Sequence, residues 1–239
     1  MTNGIKVKKR NGRGDEALNL DKVHHMVEQA CEGVAGVSAS QVEIQSGLQF
    51  YDGITTADIQ EILIRSASDL ISLDNPNYQF VAARLLLFSL RKSLYGRMRE
   101  MPDLLTQINN GIDKGIYDRD ILSKYTEEEI QKVESYIDHQ RDFLFTYAGL
   151  RQVVDKYLVQ DRSTGKVYET PQFMYILIAL TIFQDYPIET RLDYVRRYYD
   201  AISRHRINIP TPIMAGVRTP IRQFASCVLV DIDDTLDSI

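Results

Sequence analysis

Ile5 and Val7 alternate with Lys6 and Lys8, a period of two that predicts a short strand, and Asn11-Gly12 supplies a hairpin turn. The period then changes. Val23, Val27, Ala30 and Val34 recur at helical spacing, with Asp21 as the expected N-cap and Gly33 and Gly36 punctuating the end. A second helix is expected over 40–50, closed by the Asp52-Gly53 turn. Thr55-Thr56-Ala57-Asp58 has the form of a capping box and leads into Ile59, Leu63 and Leu70 on one face, and Asn75-Pro76 ends that helix. A fourth helix runs from Tyr78 to Tyr95 and stops before Gly96. Four helices with short connections behind a basic hairpin read as a small bundle.

Met98 to Pro102 marks a hinge into a second region. There the pattern predicts a polar helix over 127–137 capped by Thr126, a helix over 146–157, and a hairpin over 157–168 turning at Gly165. An apolar helix starts at Pro171, and an amphipathic one over 189–204 buries Leu192, Val195, Tyr199 and Ile202. The stretch 207–220, INIPTPIMAGVRTP, reads as extended and proline-punctuated, and Cys227–Val230 as an apolar strand. The expected fold is mainly α with short strands, in two parts, 1–96 and 97–239. No internal repeat or low-complexity segment interrupts it.

Composition removes whole classes of function. The chain has 239 residues, 44% of them hydrophobic and 26% charged, an ordinary globular balance. With 28 basic and 33 acidic residues the net charge is −5, which gives no case for a nucleic-acid partner. Two cysteines, neither in a CxxC pair, make neither a disulfide framework nor a zinc ribbon and suit a reducing compartment. The longest apolar run, 173–183, is too short to span a bilayer, and the first residues lack a signal-peptide core. A soluble cytoplasmic protein without a membrane partner is expected.

Candidate chemistry is sparse. Lys6, Lys8, Lys9, Arg10 and Arg13 make either a solvated arm or a phosphate site, but no Walker loop or GxGxxG accompanies them. Cys227 reads either as an inert core thiol or as a redox or nucleophilic group beside Ser226, whereas Cys31 sits among apolar helix positions and reads as packing. His24, His25, His139 and His205 lack metal-ligand spacing, so no metal site is expected. Glu127, Glu128 and Glu129 read as solvated first-turn acids opposing the helix dipole. Asp231, Asp233 and Asp234 suit either a helix N-cap or ribose hydroxyls.

The motifs VKKRNG, FYDGITTADI, YQFVAARL, LRKSLYG, KYLVQDR, PTPIMAGVRTP and FASCVL, in this order, cover essentially the whole chain. With them the chain resembles the N-terminal third of the large catalytic subunit of class I ribonucleotide reductase, of the bacterial and bacteriophage type. The resemblance implies that 1–96 form an ATP-cone, a β-hairpin plus four-helix bundle that binds ATP, with Mg2+, as allosteric effector. Its contacts would fall on Val7, Lys9, Arg10, Glu16, Asn19, Lys22, Thr56, Ile59 and Lys92. Close relatives carry histidine at the positions of Gln60 and Ser89, which are implicated in inhibition by dATP, so the resemblance implies ATP binding without implying that inhibition.

For 97–239 the resemblance implies the helical opening and first strand of a ten-stranded α/β barrel. Thr211 and Ser226 match residues that bind the substrate diphosphate and ribose, and Cys227 matches one of the two redox-active cysteines. Asp234 and Thr235 match the start of the specificity-effector site. The radical-forming cysteine, the second redox cysteine and the radical path lie in the family's C-terminal remainder. The implied partners are therefore that remainder, a radical-generating small subunit that holds the radical cofactor, a thioredoxin- or glutaredoxin-type reductant, and nucleotide substrates. A split gene is the favoured origin and a truncated chain the other, and neither leaves reductase activity to this chain alone. The alternative is a free-standing ATP-sensing regulator without catalysis, in which Thr211, Ser226 and Cys227 would be idle.

Overall fold

Val7 is buried between exposed Lys6 and Lys8, as the alternation requires. The computed structural model describes residues 4–9, 14–221, 223–233 and 235. Arg10, the Asn11-Gly12 turn, Arg13 and Asp234 lie outside the described residues. Strand β1 (Lys6–Lys8) pairs antiparallel with β2 (Asp15–Ala17), Val7 opposite Glu16. Helices α1 (Leu20–Cys31) and α2 (Ala39–Gly47) follow. Strand β3 (Ile54–Thr55) then adds parallel to β1, Val7 opposite Ile54, and runs directly into α3 (Thr56–Asp69); α4 (Tyr78–Tyr95) comes next.

Three boundaries differ from expectation. The N-cap of α1 is Asn19, not Asp21: its extended backbone lets the carboxamide accept the Lys22 N–H at 3.0 Å, and Asp21 falls in the first turn, where its charge still suits the dipole. Helix α2 ends at Gly47, short of the expected residue 50, and α3 at Asp69, well before Asn75-Pro76. The capping box at Thr55 forms as the sequence predicts, with Asp58 N–H donating to Thr55 Oγ1 at 3.0 Å and Thr55 N–H to Asp58 Oδ2 at 3.3 Å. Gly96 ends α4 in the left-handed conformation, φ 72°, which a side chain would strain.

Helices α5 (Leu104–Asp113), α6 (Asp120–Lys124) and α7 (Glu127–Glu134) precede a 3₁₀ turn at His139–Leu144. The helix expected over 146–157 is α8 (Tyr147–Gln152) continued by one wider π turn, Val153–Tyr157, where Leu158 N–H reaches Val153 O. Strands β4 (Gln160–Asp161) and β5 (Lys166–Val167) form the expected hairpin, with Gly165 at φ 69°. Ser163 and Thr164 hydrogen bonds hold the Asp161 carboxyl down to about 2. The chain ends with α9 (Pro171–Phe183), α10 (Ile188–Ser203) and α11 (Thr211–Gly216).

Two expectations about the last region fail. The stretch expected to be extended contains α11, because Pro212 occupies the first helical turn, where a missing N–H costs nothing and a fixed φ helps. Cys227–Val230 is not a strand: no neighbour pairs with it among the described residues, and Val228, Leu229 and Val230 are exposed.

The chain forms two compact units, Met1–Asp103 with Ile137–Gln172, and Leu104–Tyr136 with Phe173–Ile239. In the first, Val27, Val42, Ile54, Leu63, Val81 and Leu87 form a sealed core. A buried polar knot stands beside it: Arg91 Nη2 lies 2.7 Å from Asp142 Oδ2 and donates to His139 O, while Gln172 Nε2 donates to Asp142 Oδ1 at 2.9 Å. In the second unit, residues 173–180 of α9 are buried all round, with Leu104, Ile108, Ile130, Val133 and Val195. Glu129 is no solvated acid: both its oxygens meet the Arg191 guanidinium, at 2.9 and 2.6 Å. No helix among the described residues is long and apolar enough to cross a membrane.

Candidate effector cavity and substrate segment

Within the first unit a cavity of about 1050 Å³ opens between the β1–β2 ribbon, α1, the start of α3 and the end of α4. Val7, Lys9, Glu16, Asn19, Lys22, Thr56, Ile59 and Lys92 all line it. These side chains come from points up to 85 residues apart (Lys92 against Val7), brought together by the parallel β1–β3 pairing and the packing of α3 on α4. Local chemistry fixes their placement. Thr56 opens α3 directly behind its capping box, Asn19 caps α1, and Lys22 stands one turn further on.

The charge of the cavity is lopsided. Lys9, Lys22 and Lys92 face one carboxylate, Glu16, which lies 2.7 Å from Lys9 and 3.8 Å from Lys22. The Lys9 hydrogen bond, reinforced by the Lys22 charge, holds the Glu16 carboxyl below its usual range. Such a surplus of cations suits a polyphosphate, and the apolar lining from Val7, Val23 and Ile59 gives a planar base something to lie against.

Lining residues that sequence reasoning passed over include His25, Met26 and Gln29. With Lys22 they make a stripe at helical spacing on α1, and the polar positions Lys22, His25 and Gln29 beside the apolar face are the signal that could have found it. Gln60 is buried at the cavity wall, accepts from Ser89 Oγ at 3.3 Å and directs its amide at Met26 Sδ, 3.7 Å away. Cys31 plays no part: burial pushes its thiol up to about 11, the inert form expected of packing.

In the second unit, Thr211 is the first residue of α11, and Ser226 and Cys227 lie exposed on the irregular segment beyond it, Ser226 Oγ 3.7 Å from Cys227 Sγ. Thr235 N–H reaches Asp233 O at 2.7 Å. Among the described residues no group of three or more His, Cys, Asp or Glu side chains could hold a metal ion.

Comparison with known proteins gives two successive matches, separated by residues 94–142. The family model described as ATP cone domain matches residues 5–93, and that described as ribonucleotide reductase, all-alpha domain, matches residues 143–222. Ribonucleoside-diphosphate reductase 1 subunit alpha of Escherichia coli (strain K12) is 52% identical over all 239 residues. The subunit alpha of Haemophilus influenzae is 51% identical over the same span, and that of Enterobacteria phage T4 is 45% identical over 94% of this chain. The chain spans 31% of the length of the two bacterial relatives and 29% of the phage one. With two domain models in family order and end-to-end identity near one half, the chain belongs to the ribonucleotide reductase family and corresponds to the N-terminal part of its α subunits.

Proposed function

We propose that this chain supplies the ATP-sensing module and part of the active site of a ribonucleoside-diphosphate reductase, which makes deoxyribonucleotides for DNA synthesis. Residues 1–96 act as the ATP-cone and 97–239 as the N-terminal part of the catalytic domain, whose barrel the remainder of the α subunit completes. The observation that carries this reading is the convergence of eight expected contact residues, three of them lysines once Lys9, Lys22 and Lys92 are counted, on one cavity. Lys9, Lys22 and Lys92 take the phosphates, Thr56 contributes a hydroxyl, and Val7 and Ile59 pack against the nucleoside. Arg10 joins the phosphate contacts. Glu16 orients Lys9 and Lys22. Among the described residues it is the one carboxylate lining the cavity, so Mg2+ would be carried on phosphate oxygens and water rather than in a protein cage.

In the second unit, Thr211 and Ser226 hold the substrate diphosphate and ribose, and Cys227 is one of two thiols that reduce the nucleotide. The balance is a ribonucleotide and two thiols giving a deoxyribonucleotide, a disulfide and water, the 2′-hydroxyl leaving as that water. The small subunit, when bound, supplies the radical that starts the reaction. A thioredoxin- or glutaredoxin-type reductant then restores the thiols. Asp234 and Thr235 begin the specificity-effector site.

Calorimetric titration of the chain with ATP tests the cone. Lys9→Ala removes a charged phosphate donor and is expected to weaken binding about tenfold, or ~1.5 kcal/mol. Unchanged affinity would overturn the assignment.

A further inference from the structure

The largest fully buried side chain among the described residues is a cation. Arg218 is 0% exposed, two residues beyond α11 in the PTPIMAGVRTP motif. Taking a guanidinium out of water costs several kcal/mol, so its hydrogen bonds must fix something in place. One of them is visible: Arg218 Nη1 donates to Met214 O at 2.5 Å, one of the last carbonyls of α11. Its neighbour Thr219 donates from Oγ1 to Gly216 O at 2.8 Å, and the Thr219 hydroxyl accepts the Ile221 N–H at 3.2 Å. Both groups satisfy carbonyls that a helix end leaves open, and the positive charge stands at the favourable pole.

The same residue ties α11 to the core of its unit. Arg218 O accepts the Asp118 N–H at 3.0 Å. Asp118 follows Tyr117, whose fully buried ring lies so close to Gly111 of α5 that a Cβ there would stand 2.0 Å from a ring carbon. Gln107 Nε2 donates to the Tyr117 hydroxyl at 2.9 Å, which fixes the ring from its other end. The C-terminal end of α11 is thus clamped through Arg218, Asp118 and Tyr117, while the opposite end carries Thr211 exposed. A six-residue helix is about 9 Å long, so a tilt of about 10° at the clamp displaces Thr211 by about 1.5 Å.

We infer that Arg218 is a positioning residue for Thr211, holding α11 so that the threonine meets the substrate diphosphate at a fixed place. The inference rests on the proposed contact between Thr211 and substrate. An arginine suits the role because its planar fork keeps its direction, whereas a lysine ammonium supplies a point charge on a flexible stem.

The test uses the complete reductase with a ribonucleoside diphosphate as substrate and compares Thr211→Ala, Arg218→Lys and their combination. Arg218→Lys is expected to raise KM on the order of 10-fold, with kcat changed less and ATP affinity at the cone unaltered. In the Thr211→Ala background it is expected to add little, because both changes remove the same contact. A residue that merely supports the fold would add its full effect in either background, and that result, or an unchanged KM, overturns the inference. Thr219→Val, which loosens the same helix end without touching a charge, is expected to give the same pattern more weakly and serves if Arg218→Lys fails to fold; independent losses there also overturn it. Should Thr211→Ala itself leave KM unchanged, the substrate role of Thr211 falls first and the positioning role with it.

Discussion

The effector cavity and the Thr211–Cys227 region differ in how much of their geometry this chain builds. The cavity is walled by strands, helix ends and a capping box that all belong to one unit, and the helix that brings Lys92 to it is braced by the buried Arg91–Asp142 pair. The second region is held at the clamped end of α11, and beyond it the described residues form no helix or strand, with Leu229 fully exposed and Cys227 in solvent. A binding site can be finished by local packing. Under the proposed role, a redox site at Cys227 would need a second thiol and a dry environment from the remainder of the subunit.

The largest effect that would sharpen this contrast is at Cys227. Cys227→Ser is expected to abolish multiple turnover in the assembled reductase while leaving ATP affinity and the melting temperature of this chain unchanged. Turnover near the unsubstituted level would remove its redox role, and a marked loss of stability would show that the segment is packed after all.

Next comes the brace behind the cavity. Arg91→Met leaves Asp142 buried, at 0% side-chain exposure, without its cation, and is expected to cost about 3–5 kcal/mol in denaturant unfolding. Replacing both partners, Arg91→Met with Asp142→Leu, is expected to recover most of that loss. Loss of less than about 1 kcal/mol in the single variant, the range of exposed pairs, would mean the pair does not brace α4.

The smallest effect concerns the outer side of α1. His24 meets Glu43 of α2 at 2.6 Å and Glu28 at 3.1 Å, and the Glu43 hydrogen bond raises its pKa above the ordinary 6.5. The stability it adds is fully present below pH 6.5 and fades as pH rises through the raised folded-state value. His139 has the opposite sign. Burial, with Arg91 nearby, pushes it down to about 4, so it withdraws stability as pH falls from 6.5 toward that value. His24→Gln is therefore expected to flatten the alkaline slope of thermal stability and leave the acid slope intact. An unaltered alkaline slope would break the assignment.

The cone was legible because its signals are local. The TTAD capping box, the valine spacing of α1 and the Tyr78–Tyr95 helix each announce themselves within about one or two turns of sequence. Strand β3 was not, since two residues carry no period and its partner lies 47 positions earlier, Val7 against Ile54. The burial of Arg91 and Arg218 had no local signal, because nothing adjacent in the chain shows that Asp142 or a helix end will bury them. Pro210-Thr211-Pro212 read as extended, although proline at a helix start is as natural as in a turn. The cavity residues took their roles from the family resemblance. Their spacing alone left the lysine cluster ambiguous between a solvated arm and an anion site.

Helix α4 carries a constraint of another kind. Lys92, Ser93 and Gly96 look into the cavity, while Arg91, a rotation of about 100° away, looks into the polar knot at Asp142. One helix is thereby indexed on two sides at once. A substitution on one side leaves the other side's direction unchanged, but deleting Leu90 would bring the cavity-lining Lys92 round to the angular position of Arg91, toward a sealed carboxylate, and aim the arginine elsewhere. Evolution can retune this module by changing letters, and only with difficulty by changing its length.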